Sequence, residues 1–340
     1  MNKFKYYFIL LVATFSLFSC SKDEETVEVV PPRDYAEQYA TDIADIEEYL
    51  KTYYITVTNN PGQQNDQDVV FTKIPTGGTQ ASIWSYKDNA GFPKLLTREV
   101  SQNDIIYKLY YLVLREGVGE YPCNTDGLLI SYKGDYLSRE TVSEVTTLTT
   151  TLFEEVKFPQ GMKDLSGIDL MASGFDLIKG WKEALPQFKS GTYTANDDGT
   201  ISYNDFGAGI MFIPSGLGYY ASGNGSIPAY APLIFSFKLY EINRLDHDGD
   251  GVQDYLEDLD GDRYTPYIRE LEKGVAIKDD TDADGTPDFY DVDDDGDNYT
   301  TKIEIKDANG VVYPFASIPS CDGNTTDPAR IKKYLDKNCH

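Results

Sequence analysis

Three stretches near the carboxyl end space acidic side chains as calcium loops do. Asp246, Asp248, Asp250 and Glu257 take positions 1, 3, 5 and 12 of a twelve-residue loop. Asp280, Asp282, Asp284 and Asp291 repeat the pattern, as do Asp293, Asp295, Asp297 and Glu304. In such loops position 7 supplies a backbone carbonyl, here from Val252, Thr286 and Tyr299, and position 9 an extra contact, here from Asp254 and Asp288. Gly251 and Gly285 occupy the tight-turn position, and Asn298, which tolerates left-handed backbone, occupies it in the last loop. A partial loop, Asp258, Asp260 and Asp262, has arginine at the place of the final ligand. A solvated acidic linker would follow no spacing rule. The predicted cofactor is calcium in a structural role, because without cations these carboxylates repel one another and the segment should loosen. Magnesium, which retains its waters, suits such all-protein cages less well.

From Asp246 to Glu304 there are 21 acids against 5 bases, so most of the net charge of −26 sits in one sixth of the 340 residues. A surface this acidic repels phosphate backbones, so nucleic acid is not an expected partner. It also argues against docking on anionic lipid through a basic face. The two histidines are poorly placed for catalysis: His247 lies within the first acidic loop and His340 ends the chain. Mechanisms needing a histidine base, and zinc sites built on imidazole, are therefore disfavoured. The run DHDGDGVQDYLEDLDGD is similar to thrombospondin type-3-like repeats, which wrap aspartates around calcium with little hydrophobic core.

At the amino end, Lys3 and Lys5 precede an apolar run from Tyr6 to Ser19. That is too short for a comfortable bilayer span and the right size for a signal-peptide core. Leu17-Phe18-Ser19-Cys20 resembles the lipobox of bacterial lipoproteins. The resemblance implies that residues 1–19 are removed and that Cys20 carries the lipid that ties the chain to the membrane. An ordinary secretory signal with an incidental cysteine is the alternative. Ser21-Lys22-Asp23-Glu24-Glu25 is similar to the signature that sends Bacteroidetes-type lipoproteins to the outer face of the outer membrane. Cell-surface exposure is the expectation, with the periplasmic face as the alternative, and residues 20–33 are read as a tether. An exported chain can oxidise its thiols. Cys321 and Cys339 lie close enough in sequence to bridge and clamp a short helix between them, while the pairing of Cys123 stays open.

The elements that must hold these groups follow from periodicity. Between Asp34 and Tyr54, Ile43, Ile46, Leu50 and Tyr53 recur at helical spacing, with Asp34 as the N-cap. Residues 34–104 form an extension in which 57–104 carries no assignable chemistry. Strands are predicted at Ile105–Leu114, Leu128–Tyr132 and Leu233–Ile242, with a short helix from Trp181 to Lys189. The threonine-rich stretch 146–151 reads as an insertion or an edge strand. Strands around one short helix give an α+β class.

Within residues 105–243 three stretches, in order, resemble the FK506-binding-protein (FKBP) family of peptidyl-prolyl isomerases. They are Ile130-Ser131-Tyr132-Lys133-Gly134; Leu177-Ile178-Lys179-Gly180-Trp181-Lys182-Glu183-Ala184-Leu185; and Phe212-Ile213-Pro214-Ser215 with Gly218-Tyr219, Ile227-Pro228 and Leu233 to Leu239. The resemblance implies a twisted antiparallel sheet wrapped over one short helix, with a pocket of Tyr132, Leu177, Ile178, Trp181, Tyr219, Ile227 and Phe235. Trp181 would be the floor, and the Ile178 amide and Tyr219 hydroxyl would hold carbonyls of a proline-containing polypeptide. The family's Phe-Asp pair falls on Val142-Ser143 if counted without a gap, and on Phe153-Glu154 if the threonine-rich stretch is an insertion, which is the preferred reading. The family glycine after the hairpin tyrosine is Tyr220. Residues 244–340 complete the chain as the calcium segment with its cysteine-containing tail.

Rotation about an X–Pro bond is opposed by amide resonance, a barrier of roughly 18–20 kcal/mol. A dry aromatic cradle that favours the twisted, less dipolar amide lowers it without a nucleophile or metal. The leading expectation is an envelope lipoprotein isomerase that helps exported proteins fold. The alternative is a non-catalytic binding or scaffold subunit of an outer-membrane, secretion or transport complex.

Overall fold

The run IIYKLYYLVLR (Ile105–Arg115) is apolar on both of its alternating faces, so a strand made from it has no side to give to water. The computed structural model covers both faces. It describes residues 31–159, 161–167, 177–266 and 276–339, of which those from Asp34 onward belong to one compact unit. Cys20, the stretch read as a signal peptide and most of the residues read as a tether lie outside the described residues, as does His340. No helix among the described residues is long and apolar enough to cross a membrane.

The elements in order are α1 (Tyr35–Thr52), β1 (Tyr53–Val57), β2 (Val69–Lys73), β3 (Lys94–Gln102), β4 (Ile105–Arg115), β5 (Gly127–Val142), β6 (Val145–Val156), β7 (Lys163–Asp164), α2 (Lys179–Ala184), β8 (Thr192–Ala195), β9 (Ile201–Asn204), β10 (Gly207–Ile213), β11 (Leu233–Asn243) and the single turn α3 (Thr301–Glu304). The main sheet is antiparallel, ordered β3-β4-β10-β11-β5-β6, with β7 added beside the start of β5. The architecture is α+β.

Alternation sorts the strands' side chains. Leu109, Tyr111, Val113, Met211, Ile213, Phe235 and Phe237 pack with Trp181, Ala184 and Leu185 around α2. Tyr110, Leu112, Leu114, Ile210, Phe212 and Ile234 pack on the opposite face with Ile46, Tyr49 and Leu50 of α1. An isolated 18-residue helix is marginal in water. The three α1 residues are fully buried, and each such burial contributes about 1.5–3 kcal/mol, so docking, not propensity, holds this helix.

Polar contacts fix where α1 docks. Asp34 caps it, accepting from the amides of Ala36 (2.9 Å) and Glu37 (3.0 Å). Asp42, 1% exposed, accepts from the Ser215 amide (2.7 Å), the Ser215 hydroxyl (2.6 Å) and Gln38 Nε2 (2.6 Å). Burial raises its pKa, and the bonds from Ser215 and Gln38 oppose that rise. Tyr35 stacks on Tyr220, centroids 4.2 Å apart. The helix thus holds the loop between β10 and β11.

Three expectations are corrected. The boundary placed at 104/105 falls inside a hairpin: β3 pairs along β4, turning at Asn103 and Asp104, both at positive φ. Part of the supposed extension is therefore an edge of the main sheet. The helix expected from Trp181 to Lys189 starts at Lys179 and ends at Ala184, passing into a 3-10 turn at Leu185–Gln187 because Pro186 cannot donate the next helical bond. Cys321 and Cys339 are neighbouring thiols, and only the 3-10 turn Lys333–Leu335 lies between them in place of the expected helix.

The acidic segment has almost no regular structure. A small core of Val252, Ile305, Ile318 and Tyr334 gathers it. It is clasped to the sheet: half-buried His247 contacts Asp254 through Nδ1, and Asp164 (3.1 Å) and Ser166 (3.2 Å) through Nε2. Burial disfavours its charge, but the two carboxylates outweigh that and raise its pKa to about 10.

Two outcomes follow. Asp42→Ala orphans the Ser215 donors and should cost about 1–3 kcal/mol, read as a lower urea midpoint; an unchanged midpoint would refute the docking role. Because His247 has a folded pKa above the free value of about 6.5, its clasp stabilises fully below that pH and fades as pH rises toward about 10. The stability deficit of His247→Gln should accordingly shrink across that window, and a flat deficit would contradict the ion-paired clasp.

Candidate functional site

The sheet face above α2 carries a cradle of rings. Trp181, on α2, meets Phe235 of β11 at 5.1 Å and Tyr132 of β5 at 4.9 Å, both edge-on, at 88° and 84°. Phe153 of β6 meets Phe235 at 5.5 Å and 86°. Each ring presents an edge to a neighbour's face, the favoured arrangement for their quadrupoles. Ile178 and Ile227 are buried in the same cluster, while Leu177 and Tyr219 are partly buried against it.

Two local devices build this cradle. Gly180 starts α2 hard against Ile213, where an added Cβ would lie 2.5 Å from that side chain. At Gly134 an added Cβ would meet the Phe153 ring at 2.5 Å and the Phe235 ring at 2.8 Å. Opposite Gly134 the β5–β6 register shifts: Gly134 pairs with Glu154 and Asp135 with Leu152, leaving Phe153 as the extra residue of a bulge. Bulges re-aim side chains, and this one directs Phe153 to Phe235. Beyond it the hairpin runs on to a turn at Ser143 and Glu144, both at positive φ, with Val142 exposed. Val142-Ser143 is thus a hairpin tip, and Phe153-Glu154 is the pair at the rings. The threonine-rich stretch is strand β6, at the sheet edge.

The polar groups of the cradle are few. Burial, and then the charge and hydrogen bond of Glu154, hold the Tyr132 phenol above its ordinary pKa. Among the described residues nothing accepts from the buried Trp181 indole N–H or from the Ile178 amide. Lys163 lies 5.7 Å from the Tyr132 ring centroid. Tyr220, at φ 44°, takes the left-handed backbone that a glycine would supply and is braced by Tyr35 and by Tyr230, 5.2 Å away. Two cavities of about 330 and 300 Å³ lie along the 62–70 loop; Tyr132 and Phe237 are among the residues lining the first, and Phe158, Tyr203, Phe206 and Tyr240 among those lining the second.

The acidic loops fold alike. In each, the carboxylates at positions 3 and 5 accept from the amides two residues on, as Asp248 does from Asp250 (3.0 Å) and Asp250 from Val252 (2.7 Å). The same contacts recur at Asp260 and Asp262, at Asp282 and Asp284, and at Asp295 and Asp297. This pleats each loop so that its free oxygens converge. Ligand atoms lie within 4.8 Å of one another in four groups: Asp258, Asp260 and Asp262; Asp280, Asp282 and Asp284; Asp293, Asp295 and Asp297; and Asp248, Asp250, Glu257 and Asp294. Glu304 is 2% exposed, with neither carboxylate oxygen hydrogen-bonded, and burial followed by Asp295 and Asp297 raises its pKa to about 8. Buried carboxylate oxygens with no donor fit a divalent cation.

Not every expected ligand joins. Asp254 and Asp288 are buried but turn to position 2 of their own loops: Asp254 accepts from the His247 amide (2.9 Å), Asp288 from the Thr281 amide and hydroxyl (both 2.7 Å). They brace the loops and do not face the clusters. Asp246 is exposed, outside its group, and accepts from the Gly249 amide. Asp291 lies beside Asp284, Asp282 and Asp293, whose charges add to the burial that raises its pKa. Asp294 was not legible: it sits at position 2 of its own loop, where no spacing rule looks for a ligand.

Residues 247–328 match the family described as BamM C-terminal, which is not a thrombospondin repeat. Among solved structures the chain is similar to a peptidyl-prolyl cis-trans isomerase from Pseudomonas syringae, at 19% identity over 47% of this chain and 87% of that one, with a TM-score of 0.29. It is also similar to FkpA from Escherichia coli, at 22% identity over 40% of this chain and 48% of that one, with a TM-score of 0.25. No curated protein matches the sequence significantly.

Gly134→Ala should drive Phe153 off Phe235. We expect a loss of roughly 1–3 kcal/mol in thermal unfolding and altered tryptophan emission, and an unperturbed variant would argue against the close ring contact.

Proposed function

We propose that the chain is an FKBP-like peptidyl-prolyl cis-trans isomerase acting on proline-containing polypeptides in the cell envelope. One observation carries the reading: four rings meet edge to face, one of them a floor tryptophan whose N–H has no partner among the described residues, with no nucleophile among them. Such a site can hold a prolyl ring by apolar contact and can disfavour the planar, dipolar amide relative to the twisted one. The Ile178 amide and the Tyr219 hydroxyl are the groups proposed to hold the flanking carbonyls. Glu154 orients Tyr132 in the cradle wall. Leu177 and Ile227 close its sides.

The lipid on Cys20 would anchor the enzyme to the outer membrane, at the cell surface, with the periplasmic face as the alternative. The acidic segment would bind calcium through the clusters described above. The ion supplies charge neutralisation and stiffening and takes no part in isomerisation.

The match of residues 247–328 to the BamM C-terminal family favours a second reading, a non-catalytic binding subunit of an outer-membrane assembly complex. The two separate in one assay. If the first holds, a proline peptide isomerises faster with the protein, and Trp181→Ala and Phe153→Ala each lower kcat/KM at least about tenfold, some 1.4 kcal/mol of transition-state stabilisation. No acceleration for any peptide, with pocket variants still co-purifying with an outer-membrane partner, would sink it in favour of the second.

Chelation tests the calcium. It should open residues 246–304 to protease, and added calcium should close them again. Protection that survives chelation would remove the ion from the account.

A further inference from the structure

Asp294 follows Asp293, the first ligand of the last loop, yet it turns to the first loop instead. Its carboxylate lies with those of Asp248, Asp250 and Glu257, ligand atoms within 4.8 Å of one another. We propose that Asp294 completes a cation site begun by these three, so that one divalent cation ties the first acidic loop to the last. The inference rests on the calcium reading above and adds to it a ligand from outside the loop.

Three features set this group apart from an ordinary acidic patch. It is buried: Glu257 and Asp294 are each 1% exposed and Asp250 is 2% exposed. Its oxygens are orphaned, since Asp248 Oδ2, Asp250 Oδ2, Glu257 Oε1 and both oxygens of Asp294 lack a hydrogen-bond partner. The Thr301 hydroxyl lies near Asp294 but reaches neither oxygen in hydrogen-bonding geometry, being engaged instead by the Asp294 amide (3.4 Å). Finally, the fold roofs the group with apolar chain. Tyr334, fully buried, belongs to the small core with Val252, and its hydroxyl also lacks a partner.

Four converging carboxylates, three of them shut away from water, need compensating positive charge. Lys302 acts on Asp250, but its Nζ is held by the Gly249 carbonyl at 2.8 Å and hydrogen-bonds to none of the four carboxylates. A hard divalent cation with several oxygen ligands meets the demand, and calcium, which accepts irregular oxygen cages, fits better than magnesium.

The test is calcium calorimetry on the full chain in detergent after chelation, with Asp294→Asn, Glu257→Gln, their double variant and Asp284→Asn. We expect Asp294→Asn and Glu257→Gln each to weaken the same ion at least tenfold, with the double variant losing no second ion. Asp284→Asn should lose a different one. Limited proteolysis should show that calcium no longer protects residues 246–304 in Asp294→Asn, whereas Asp284→Asn keeps the first and last loops protected together. If Asp294→Asn binds calcium like the unaltered chain while Glu257→Gln loses an ion, or if the double variant loses two, the shared site is overturned and the calcium reading stands. If the unaltered chain binds no calcium, both fall. Should Asp294→Asn not fold, Glu257→Gln decides: loss of protection limited to the first loop overturns the inference, and loss extending through the last loop supports it.

Discussion

Strands β4, β10 and β11 are apolar on both faces, and this constraint shapes most of the molecule. A sheet with two dry sides must find two covers. The short α2 is one, and because it is only six residues long it leaves room for Trp181, Tyr132, Phe153 and Phe235 to pack ring edge against ring face. The other is α1, which fills the opposite face with Ile46, Tyr49 and Leu50. The two covers are not independent. The β10–β11 loop leaves the sheet beside α1, and Asp42 grips that loop at Ser215 while Tyr35 supports Tyr220. Tyr219, whose hydroxyl is proposed to donate to a carbonyl of the bound polypeptide, is thereby held indirectly from the far side of the sheet.

Much of this could be read from the residues. The α1 stripe and its Asp34 cap are local signals: the cap stands where it was expected and Ile46 and Leu50 are buried, while Tyr53, counted into the stripe, opens β1. The strands around Tyr132 and Phe235 were visible because they are continuous apolar runs. What could not be read is what depends on partners distant in sequence. Strand β3, LTREVSQ after Lys94 and Leu95, is half polar and looks like loop until β4 pairs with it. The bulge at Phe153 exists only in relation to Gly134, so a sequence count could offer two positions for the pair and prefer one without a geometric reason. In the acidic segment, spacing revealed which carboxylates share a loop. It could not show that Asp254 and Asp288 bend back to their own backbones, nor that Asp294 crosses to another loop.

The charged segment solves a problem opposite to that of the sheet. The strands bury carbon and need only shape; the loops bury carboxylate and need compensation. Backbone amides supply part of it through contacts repeated in every loop, and His247 supplies more where the segment meets β7. Burial and mutual repulsion still raise several carboxyls, Asp250 and Asp295 to about 6 and Glu304 to about 8. The fold therefore gathers carboxyl groups whose ionised form lacks compensation, the demand that the proposed cation would meet.

The bulge opposite Gly134 pins Phe153 and Glu154 at the base of a long two-stranded arm, and the pairing beyond it is regular up to the tip. Residues inserted or deleted two at a time at that tip would change the arm's reach while the register at its root stays as it is. Such an arm is free to diverge among descendants of this chain in length and in what it touches, without disturbing the aromatic cluster from which it springs.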